Sequence, residues 1–477
     1  MEDKREFIGR ERELSLLREV EKNNRPEFVA IYGRRRVGKT FLVRNAFKGI
    51  FTFQMTGVAN VSTKKQLINF WAAFNQYSDV ILESPPDNWM EAFVRLRKLI
   101  EQKNADSKIV FIDELPWFDT PRSGFISALE HFWNSFGSAQ SDLKLIVCGS
   151  AASWIINKLI NNHGGLHNRV TRRIHLQPFT LHEVENYFQT KNVTLDRYQI
   201  VQLYSVMGGI PFYLNTVEKG KSAFQIIDRL CFSEIGFLRT EYQNLYRSLF
   251  QNAESHLSVV EVLSRKAMGL TREEIIQASE LTNGGSATKV LNELEVSGFI
   301  KRYQPFNRKQ RNSLYQLTDP YSLFYNKFIK DSRATGEGTW LNLIDSPAYR
   351  AWSGYAFEYV CMHHVQNIKK ALGISGVYTE ISSWRSTDSE GGAQIDLLID
   401  RKDKVITVCE MKFSSGPFEI TKAYAANLGN KLNVFKTESK TRKSVFLAMV
   451  TTFGLKPNVH SLGLVQNEVT MDALFAD

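Results

Sequence analysis

The chain has 477 residues, of which 43% are hydrophobic and 23% charged. Its 60 Lys and Arg residues against 50 Asp and Glu give a formal net charge of +10 at pH 7. The composition is typical of a globular protein and excludes disordered and fibrous chains, and the length predicts about three domains. The basic excess suits a polyanionic partner such as nucleic acid.

The cysteines and the first residues of the chain indicate the cellular compartment of the protein. Cys148, Cys231, Cys361 and Cys409 are scattered without a C-x-x-C pair, which argues against a disulfide framework and a cysteine-based zinc site. The first residues are charged and lack a signal-peptide core. No apolar run reaches the roughly 18 residues that a membrane helix needs. We therefore expect a soluble, cytoplasmic protein without a membrane partner.

The segment from Phe7 begins FIGRERE and continues as an amphipathic helix with Leu14, Leu17 and Val20 on one face. Such a segment, placed before a nucleotide-binding loop, could cover the adenine base. The alternative is a plain packing helix.

Residues 33–40 have the sequence GRRRVGKT, which fits G-x-x-x-x-G-K-[ST] at every fixed position. An apolar strand precedes this phosphate loop and a helix follows it, so backbone N–H groups and the helix dipole favour an anion there. Lys39 is expected to reach the β- and γ-phosphates of ATP, and Thr40 to bind Mg²⁺. The predicted nucleotide-binding residues of this segment are Gly33, Arg34, Arg35, Arg36, Val37, Gly38, Lys39, Thr40 and Phe41.

A second ATPase motif follows a predicted strand at 51–55 and predicted helices at 63–77 and 88–103. Residues 108–117, KIVFIDELPW, form an apolar strand with two acids at its carboxyl end, where parallel sheets bind ligands. Asp113 is predicted to hold Mg²⁺, and Glu114 to orient and deprotonate the attacking water. The alternative, a solvated turn, loses weight because a complete phosphate loop lies upstream.

The next predicted strand, 143–150, ends at Ser150, which is placed to sense the γ-phosphate. The segment after it carries Arg169, Arg172 and Arg173. Any of the three could act as an arginine finger on the transferring phosphoryl group, and Arg169 is our candidate. A solvated surface arginine is the alternative for each.

Residues 255–318 change character. Helices are predicted at 259–264, 270–276 and 287–297, followed by a hairpin that ends at Leu317, and this order is typical of a winged helix-turn-helix. DNA binding is one interpretation, and packing against the ATPase is the other. The candidate DNA contacts are Lys289, Asn292, Arg302, Arg308, Lys309 and Arg311.

The last region combines a predicted helix at 352–365 bearing Glu358 with predicted strands at 391–400 and 405–413. Side chains alternate along a strand, so Glu410 and Lys412 share one face. Burying both is costly unless they are paired or bind a metal.

Asp396 on the neighbouring strand is expected within reach of Glu410. Two carboxylates suit Mg²⁺, with Mn²⁺ as an alternative ion, and such a metal activates water against a phosphodiester. Lys412 would position the nucleophile or balance charge. The alternative is a structural salt bridge from Lys412 to Glu410 or Asp396.

The phosphate-loop region resembles the prokaryotic archaeal-type AAA ATPases, which are related to signal-transducing ATPases with numerous domains. The matching motifs are those quoted above together with Gly209-Ile210-Pro211. The resemblance implies that Pro211 contacts adenine, that ATP and Mg²⁺ are bound, and that the protein works as an ATP-driven switch. It leaves room for a homo-oligomer.

The last region resembles the PD-(D/E)xK nuclease superfamily. Asp396 is similar to the motif aspartate, Glu410-Met411-Lys412 to E-x-K, and Glu358 to the helical glutamate, whereas Ile395 stands where proline is common. The resemblance implies a restriction-endonuclease-like fold that cuts DNA with Glu358, Asp396, Glu410 and Lys412.

Together these patterns predict an α/β protein in four parts. Residues 1–180 form a P-loop ATPase core with a parallel sheet, 181–250 a helical lid, 251–330 a winged helix-turn-helix, and 331–477 the nuclease-like domain. The predicted function is a Mg²⁺-dependent ATPase that binds DNA and is coupled to the C-terminal nuclease site. Alternatives are an ATP-driven regulatory switch that binds DNA or a partner protein and cuts nothing, and a chaperone-like remodeller whose ATP turnover responds to protein.

Overall fold

A computed structural model describes residues 7–161, 164–250, 252–266, 269–306, 313–332, 336, 338–344, 346–386 and 393–477. The chain divides into two compact units, the first ending at Pro178 and the second beginning at Phe179. Some predicted positions lie outside the described residues, namely Arg308, Lys309 and Arg311 in the hairpin and Gly391 and Gly392 at a strand start.

The first unit is built on a parallel sheet in the order β2-β3-β4-β1-β5. The strands are β1 Glu27–Tyr32, β2 Phe51–Thr56, β3 Lys108–Asp113, β4 Leu143–Gly149 and β5 Arg172–His175. The helices are α1 Glu11–Lys22, α2 Lys39–Ala46, α3 Thr63–Tyr77, α4 Trp89–Gln102, α5 Phe125–Ser135 and α6 Ala152–Ile155. Strands β1, β3 and β4 are apolar over most of their length because a parallel sheet is covered on both faces. Only β4 lies between β1 and β3. The phosphate loop and the acids after β3 therefore meet at the carboxyl ends of neighbouring parallel strands.

The amino end of the same sheet holds a buried charge pair. Glu27 and Lys144 are register partners on β1 and β4, and neither is exposed to solvent. Lys144 Nζ donates to the backbone carbonyls of Asn23, Arg25 and Ser141 at 2.5–3.0 Å. Burying this ammonium group is tolerated because its protons all have acceptors.

The second unit begins with helices α7 Leu181–Thr190, α8 Arg197–Met207, α9 Pro211–Leu214, α10 Ala223–Cys231 and α11 Phe237–Arg247. The predicted break in the 197–218 region is confirmed between α8 and α9. Gly208 has a φ of 62°, and a Cβ on Gly209 would lie 1.9 Å from the Phe179 carbonyl oxygen. Pro211 then opens α9, where its missing N–H costs nothing.

Helices α12 Ala253–Ser264, α13 Arg272–Ser279 and α14 Gly285–Val296 follow, with an antiparallel pair of strands, β6 Ile300–Tyr303 and β7 Leu314–Leu317. The side chains of Thr271 and Glu274 form the reciprocal hydrogen bonds of a capping box at the start of α13. We call residues 300–306 and 313–317 the hairpin. The predicted order of helices and hairpin is therefore present.

The C-terminal part is a mixed sheet in the order β12-β11-β10-β9-β8, in which β8, β9 and β10 are antiparallel and β10, β11 and β12 parallel. Its strands are β8 Thr379–Arg385, β9 Gln394–Arg401, β10 Val405–Lys412, β11 Ser444–Thr451 and β12 Asn467–Thr470. Helix α15 Pro320–Phe324 leads to this part, and its own helices are α16 Pro347–His363, α17 Val365–Ala371, α18 Lys422–Ser439 and α19 Val459–Leu464.

Several predicted boundaries were wrong, among them the start of α12, which lies at Ala253 rather than at residue 259. The helix bearing Glu358 starts at Pro347 rather than residue 352, because Ser346 caps it by accepting from Tyr349 N–H and Pro347 fits the first turn. Strand β10 ends at Lys412, one residue before the predicted end.

Each of the four cysteines, all within the described residues, is buried with a free thiol. Among the helices in the described part of the chain, none combines the length and apolar character that crossing a membrane requires.

His364, at the end of α16, holds the first turn of α7. The backbone N–H of Leu181 donates to His364 Nε2 at 2.9 Å, and His364 Nδ1 donates to the Val360 carbonyl at 2.8 Å. An imidazole that accepts at one nitrogen and donates at the other is neutral. Burial lowers the pKa of His364 to about 4.

Because the unfolded chain binds this proton near pH 6.5 and the folded chain does so only near pH 4, His364 makes the protein less stable as pH falls through that window. The free energy of unfolding should drop by about 1.4 kcal/mol per pH unit from this group. In His364→Gln, whose amide does not titrate, that part of the slope should disappear in urea unfolding. An identical slope in both proteins would contradict the assignment.

Candidate functional site

Asp113, at the end of β3, is the meeting point of the ATPase motifs. It is buried, its Oδ2 accepts from Thr40 Oγ1 at 2.8 Å, and its Oδ1 accepts from Glu114 N–H at 2.9 Å and from the Cys148 thiol. Thr40 and Asp113, predicted together as Mg²⁺ ligands, are therefore in direct contact. Both offer the hard oxygen atoms that Mg²⁺ prefers.

The phosphate loop connects β1 to α2 as predicted, with left-handed backbone where glycine is needed. Gly33 has a φ of 144° and Gly38 a φ of 93°. A Cβ on Gly33 would lie 2.3 Å from the Leu176 carbonyl oxygen, whereas one on Gly38 would meet nothing within 4 Å. The first glycine is thus fixed by a neighbouring strand end, and the second borders open space.

Lys39 is buried and points into this loop. Its ammonium group donates to the carbonyls of Gly33 at 3.1 Å and Arg34 at 2.8 Å, and to Ser150 Oγ at 3.2 Å. Burial lowers the pKa of Lys39, and the carboxylates of Glu114 and Asp113 counteract that effect. Phosphate oxygens in the loop would compete with these acceptors for the same three protons.

Glu114 is held by the residue predicted as the γ-phosphate sensor. Its Oε1 accepts from Ser150 Oγ at 2.5 Å and its Oε2 from Ser150 N–H at 3.1 Å. Glu114 has a φ of 50°, a left-handed conformation that is uncommon outside glycine and concentrates at functional sites. The structure therefore brings Lys39, Ser150 and Glu114 together in one hydrogen-bonded chain.

The segment before α1 lies on the phosphate loop. The rings of Phe7 and Phe41 stack with centroids 5.7 Å apart, and Arg10 Nη2 donates to the Val37 carbonyl at 3.3 Å. Sequence reasoning did not assign Arg10, although it is buried and lies within the FIGRERE stretch that was noted.

The arginine candidates are not gathered at this site in the same way. Arg172 pairs with Glu19 on α1 at 2.8 Å, while Arg169 and Arg173 are exposed. Arg169 lies in the loop after α6, and its finger role stays a prediction. Pro211 belongs to the second unit, so its predicted contact with adenine also stays a prediction.

The predicted C-terminal residues come together around β9, β10 and α16. Leu397 and Cys409 are register partners, which places Asp396 and Glu410 side by side on antiparallel strands. We call Glu358, Asp396 and Glu410 the acidic cluster. Lys412 Nζ lies 3.1 Å from Glu410 Oε1, so the ion pair expected of the structural alternative is present.

Two residues that sequence reasoning missed complete this site. Lys431 Nζ lies 2.7 Å from Glu410 Oε2, and the Tyr424 hydroxyl donates to Glu410 Oε1 at 2.7 Å. Both come from α18, on the face that also buries Leu428 and Phe435. A lysine at helical spacing between two core residues was the signal that could have found it.

The three carboxyl groups are not equivalent. Burial raises the pKa of Glu358, and the nearby Asp396 adds to the rise. Burial also raises the pKa of Asp396, opposed by the Gln394 amide and reinforced by Glu410. For Glu410 burial acts in the same direction, but Lys431 and Lys412 outweigh it and lower the pKa. Both lysines thus form their ion pairs with Glu410.

The side chains that could bind a metal in the C-terminal part are few. Within the described ranges, no group of three or more His, Cys, Asp and Glu side chains stands ready to hold an ion. Asp396 and Glu410 would offer two carboxylates, which fits Mg²⁺ because that ion keeps several waters and commonly takes one or two carboxylates.

The predicted DNA contacts of α14 and the hairpin are partly neutralised. Lys289 lies 3.9 Å from Glu293, and Arg302 lies 4.0 Å from Glu295. Asn292 is exposed. This face therefore carries acidic side chains beside its basic ones.

Comparison with known proteins bears on the first unit most directly. Residues 7–217 match a family described as an ATPase domain predominantly from Archaea. That range contains the phosphate loop, Asp113, Glu114, Ser150 and Pro211.

Similarity to individual proteins extends further along the chain. An uncharacterized protein of Methanocaldococcus jannaschii is 24% identical over 418 residues, covering 85% of this chain and 87% of that protein. A Walker-type ATPase of Pyrococcus abyssi shares the fold with a TM-score of 0.50 and 17% identity, covering 68% of this chain and 96% of that one. The ORC2 protein of Aeropyrum pernix has a TM-score of 0.40 and 14% identity, covering 76% of this chain and 97% of that one. The family match over residues 7–217 and the fold shared with the Pyrococcus abyssi protein show that the chain carries a P-loop ATPase domain.

The loop geometry predicts different costs for two similar substitutions. Gly38→Ala should lower the free energy of unfolding by about 1–2 kcal/mol, the price of a left-handed alanine. Gly33→Ala should cost at least about 1 kcal/mol more, because its Cβ collides with main chain that cannot rotate away. Urea unfolding of the two variants measures the difference, and equal losses would refute it.

Replacing Glu358 with a neutral residue should stabilise the folded protein. The raised pKa of this acid means that its ionised form destabilises the fold as pH rises above the unfolded value of about 4.3. Glu358→Gln should therefore raise the free energy of unfolding at pH 8 by about 1–3 kcal/mol, with a smaller gain at pH 5. Glu419→Gln, at an exposed carboxylate of the same domain, is the control. If the increase in the free energy of unfolding caused by Glu358→Gln did not grow with pH, the raised pKa of Glu358 would be contradicted.

Proposed function

We propose that this protein is a Mg²⁺-dependent ATPase that binds DNA and controls a metal-dependent DNA nuclease site in its C-terminal part. The observation that carries the proposal is the acidic cluster beside Lys412 and Lys431, in a chain whose phosphate loop contacts both Asp113 and Ser150. The four-part division at residues 180, 250 and 330 belongs to the same proposal.

In the ATPase site, Thr40 and Asp113 would hold Mg²⁺, and the loop amides with Lys39 would hold the phosphates. When bound, Mg²⁺ neutralises charge on the phosphate oxygens. Glu114 would take the proton of the attacking water once Ser150 turns from it toward the γ-phosphate. The Ser150–Glu114 contact supports this because one hydroxyl faces both Lys39 and Glu114.

In the C-terminal site, Asp396 and Glu410 would hold Mg²⁺ or Mn²⁺, which supplies an activated water and charge stabilisation for phosphodiester hydrolysis. Glu358 has the raised pKa of a group suited to proton transfer near neutral pH. Lys412 would orient the attacking water or balance developing charge. Crowded carboxylates with perturbed pKa values are more frequent at functional sites than elsewhere.

DNA is the proposed substrate because the chain is basic overall, with a net charge of +10, and because a winged helix-turn-helix assignment fits α12–α14 with the hairpin. Lys289 and Arg302 are paired with glutamates, so α14 and the hairpin are less suited to bind phosphates. We therefore expect the strongest DNA contacts in the C-terminal part.

A second function is favoured by one observation. Both oxygens of Glu410 are already engaged, Oε1 by Tyr424 and Lys412 and Oε2 by Lys431. A carboxylate neutralised in this way has less need of a metal. The chain would then be an ATP-driven switch that binds DNA or a partner protein and does not cut.

The deciding experiment is cleavage of supercoiled and linear DNA with Mg²⁺ or Mn²⁺, with and without ATP. Asp396→Ala should reduce the rate by more than about 100-fold, since even outer-shell partners of a metal cost 10- to 100-fold. Glu419→Ala removes an exposed carboxylate of the same domain and should leave the rate unchanged.

The coupling is tested in the same assay with Lys39→Ala. Loss of ATP turnover together with a changed cleavage rate supports control by the ATPase. Unchanged cleavage in Lys39→Ala refutes the coupling, and ATP turnover without cleavage in any condition supports the switch.

A further inference from the structure

The hairpin is bound to the C-terminal sheet. Its Pro305 pairs with Ser383 as a parallel bridge, and the Phe306 N–H donates to the Ser383 carbonyl at 2.8 Å. Ser383 lies on β8, the last strand of the sheet order. The hairpin end thus continues the sheet at an edge that would otherwise present unpaired backbone groups.

Side chains strengthen this contact. The ring of Phe306 lies 5.6 Å from that of Phe435 and packs against the core between β9, β10 and α18. Farther along the hairpin, Gln316 Nε2 lies 3.3 Å from the Tyr355 hydroxyl on α16. The hairpin therefore touches both β8 and the helix that carries Glu358.

A narrow cleft remains under the hairpin. Tyr303 and Gln316 of the hairpin line it together with Glu358, Asp396 and Arg385. Its volume is about 40 Å³, and a water needs roughly 10–15 Å³ on this measure. The cleft therefore has room for a few waters.

We propose that the hairpin is a removable cover on the acidic cluster, so that DNA reaches Glu358 and Asp396 only when the hairpin leaves β8. This rests on the proposed function in that DNA is taken as the substrate of the cluster. The proposal concerns residues 300–306 and 313–317 only. It also gives the hairpin a role other than the DNA contact expected of a wing.

The nature of the contact suits reversible opening. Three of its contacts are a backbone bridge at Pro305, the partly buried ring of Phe306 and an amide–hydroxyl hydrogen bond of Gln316. These three contacts are uncharged, so breaking them leaves no unpaired charge behind.

The test locks or loosens the hairpin in the full chain. Pro305→Cys with Ser383→Cys places two thiols at neighbouring positions of paired strands, a separation that a disulfide spans. Phe306→Ala loosens the same contact. Leu464→Ala, which shortens another partly buried side chain on the same core, controls for general destabilisation.

DNA affinity is measured with Ca²⁺ and cleavage with Mn²⁺. The oxidised double-cysteine protein should bind DNA about tenfold more weakly than its reduced form, and Phe306→Ala about tenfold more tightly than wild type, because the open fraction sets the apparent affinity. Leu464→Ala should match wild type.

Equal DNA affinity and equal cleavage in the oxidised and reduced proteins would overturn the cover. A difference in affinity without cleavage in any protein would keep the cover and remove the nuclease. A cleavage rate that rises in Phe306→Ala and falls on oxidation would support both.

Discussion

The hydrogen bond between Thr40 and Asp113 joins the phosphate loop to the acids at the end of β3, which lie 73 positions further along the chain. It exists because β4 lies between β1 and β3 and aligns their carboxyl ends. The acid is buried and also accepts from Glu114 and the Cys148 thiol, so its position is fixed from three directions. Everything else at the site, including the Lys39–Ser150–Glu114 chain, is arranged around this carboxylate.

The C-terminal part differs from the ATPase site, because three carboxyl groups, those of Glu358, Asp396 and Glu410, lie close together there. Lys431 and Lys412 outweigh burial at Glu410 and lower its pKa, whereas burial raises the pKa values of Glu358 and Asp396. Such an uneven distribution of charge is unfavourable for folding and is retained where proton or metal chemistry needs it. A structural salt bridge would satisfy each acid, whereas Glu358 and Asp396 keep raised pKa values, which is what the proposed nuclease site would require.

Short-range patterns predicted much of this molecule. The phosphate loop, the acids after β3, the capping box at Thr271 and the pairing of Asp396 with Glu410 follow from local spacing and strand alternation. The missed features depend on long-range packing: Lys431 reaches Glu410 from a helix that was not predicted, and Phe306 binds a strand that had not been assigned. Helix α16 was misplaced at its start because its cap precedes an aromatic-rich stretch that masks the boundary.

The hydrogen bond from Leu181 to His364 has a consequence for evolution and protein engineering. It makes the first turn of α7 depend on a side chain nearly two hundred positions later, just beyond the helix that carries Glu358. Recombination that exchanged the C-terminal part for another would leave a buried backbone donor without an acceptor. A chimera of this kind would therefore be less stable unless it also supplied an acceptor at position 364.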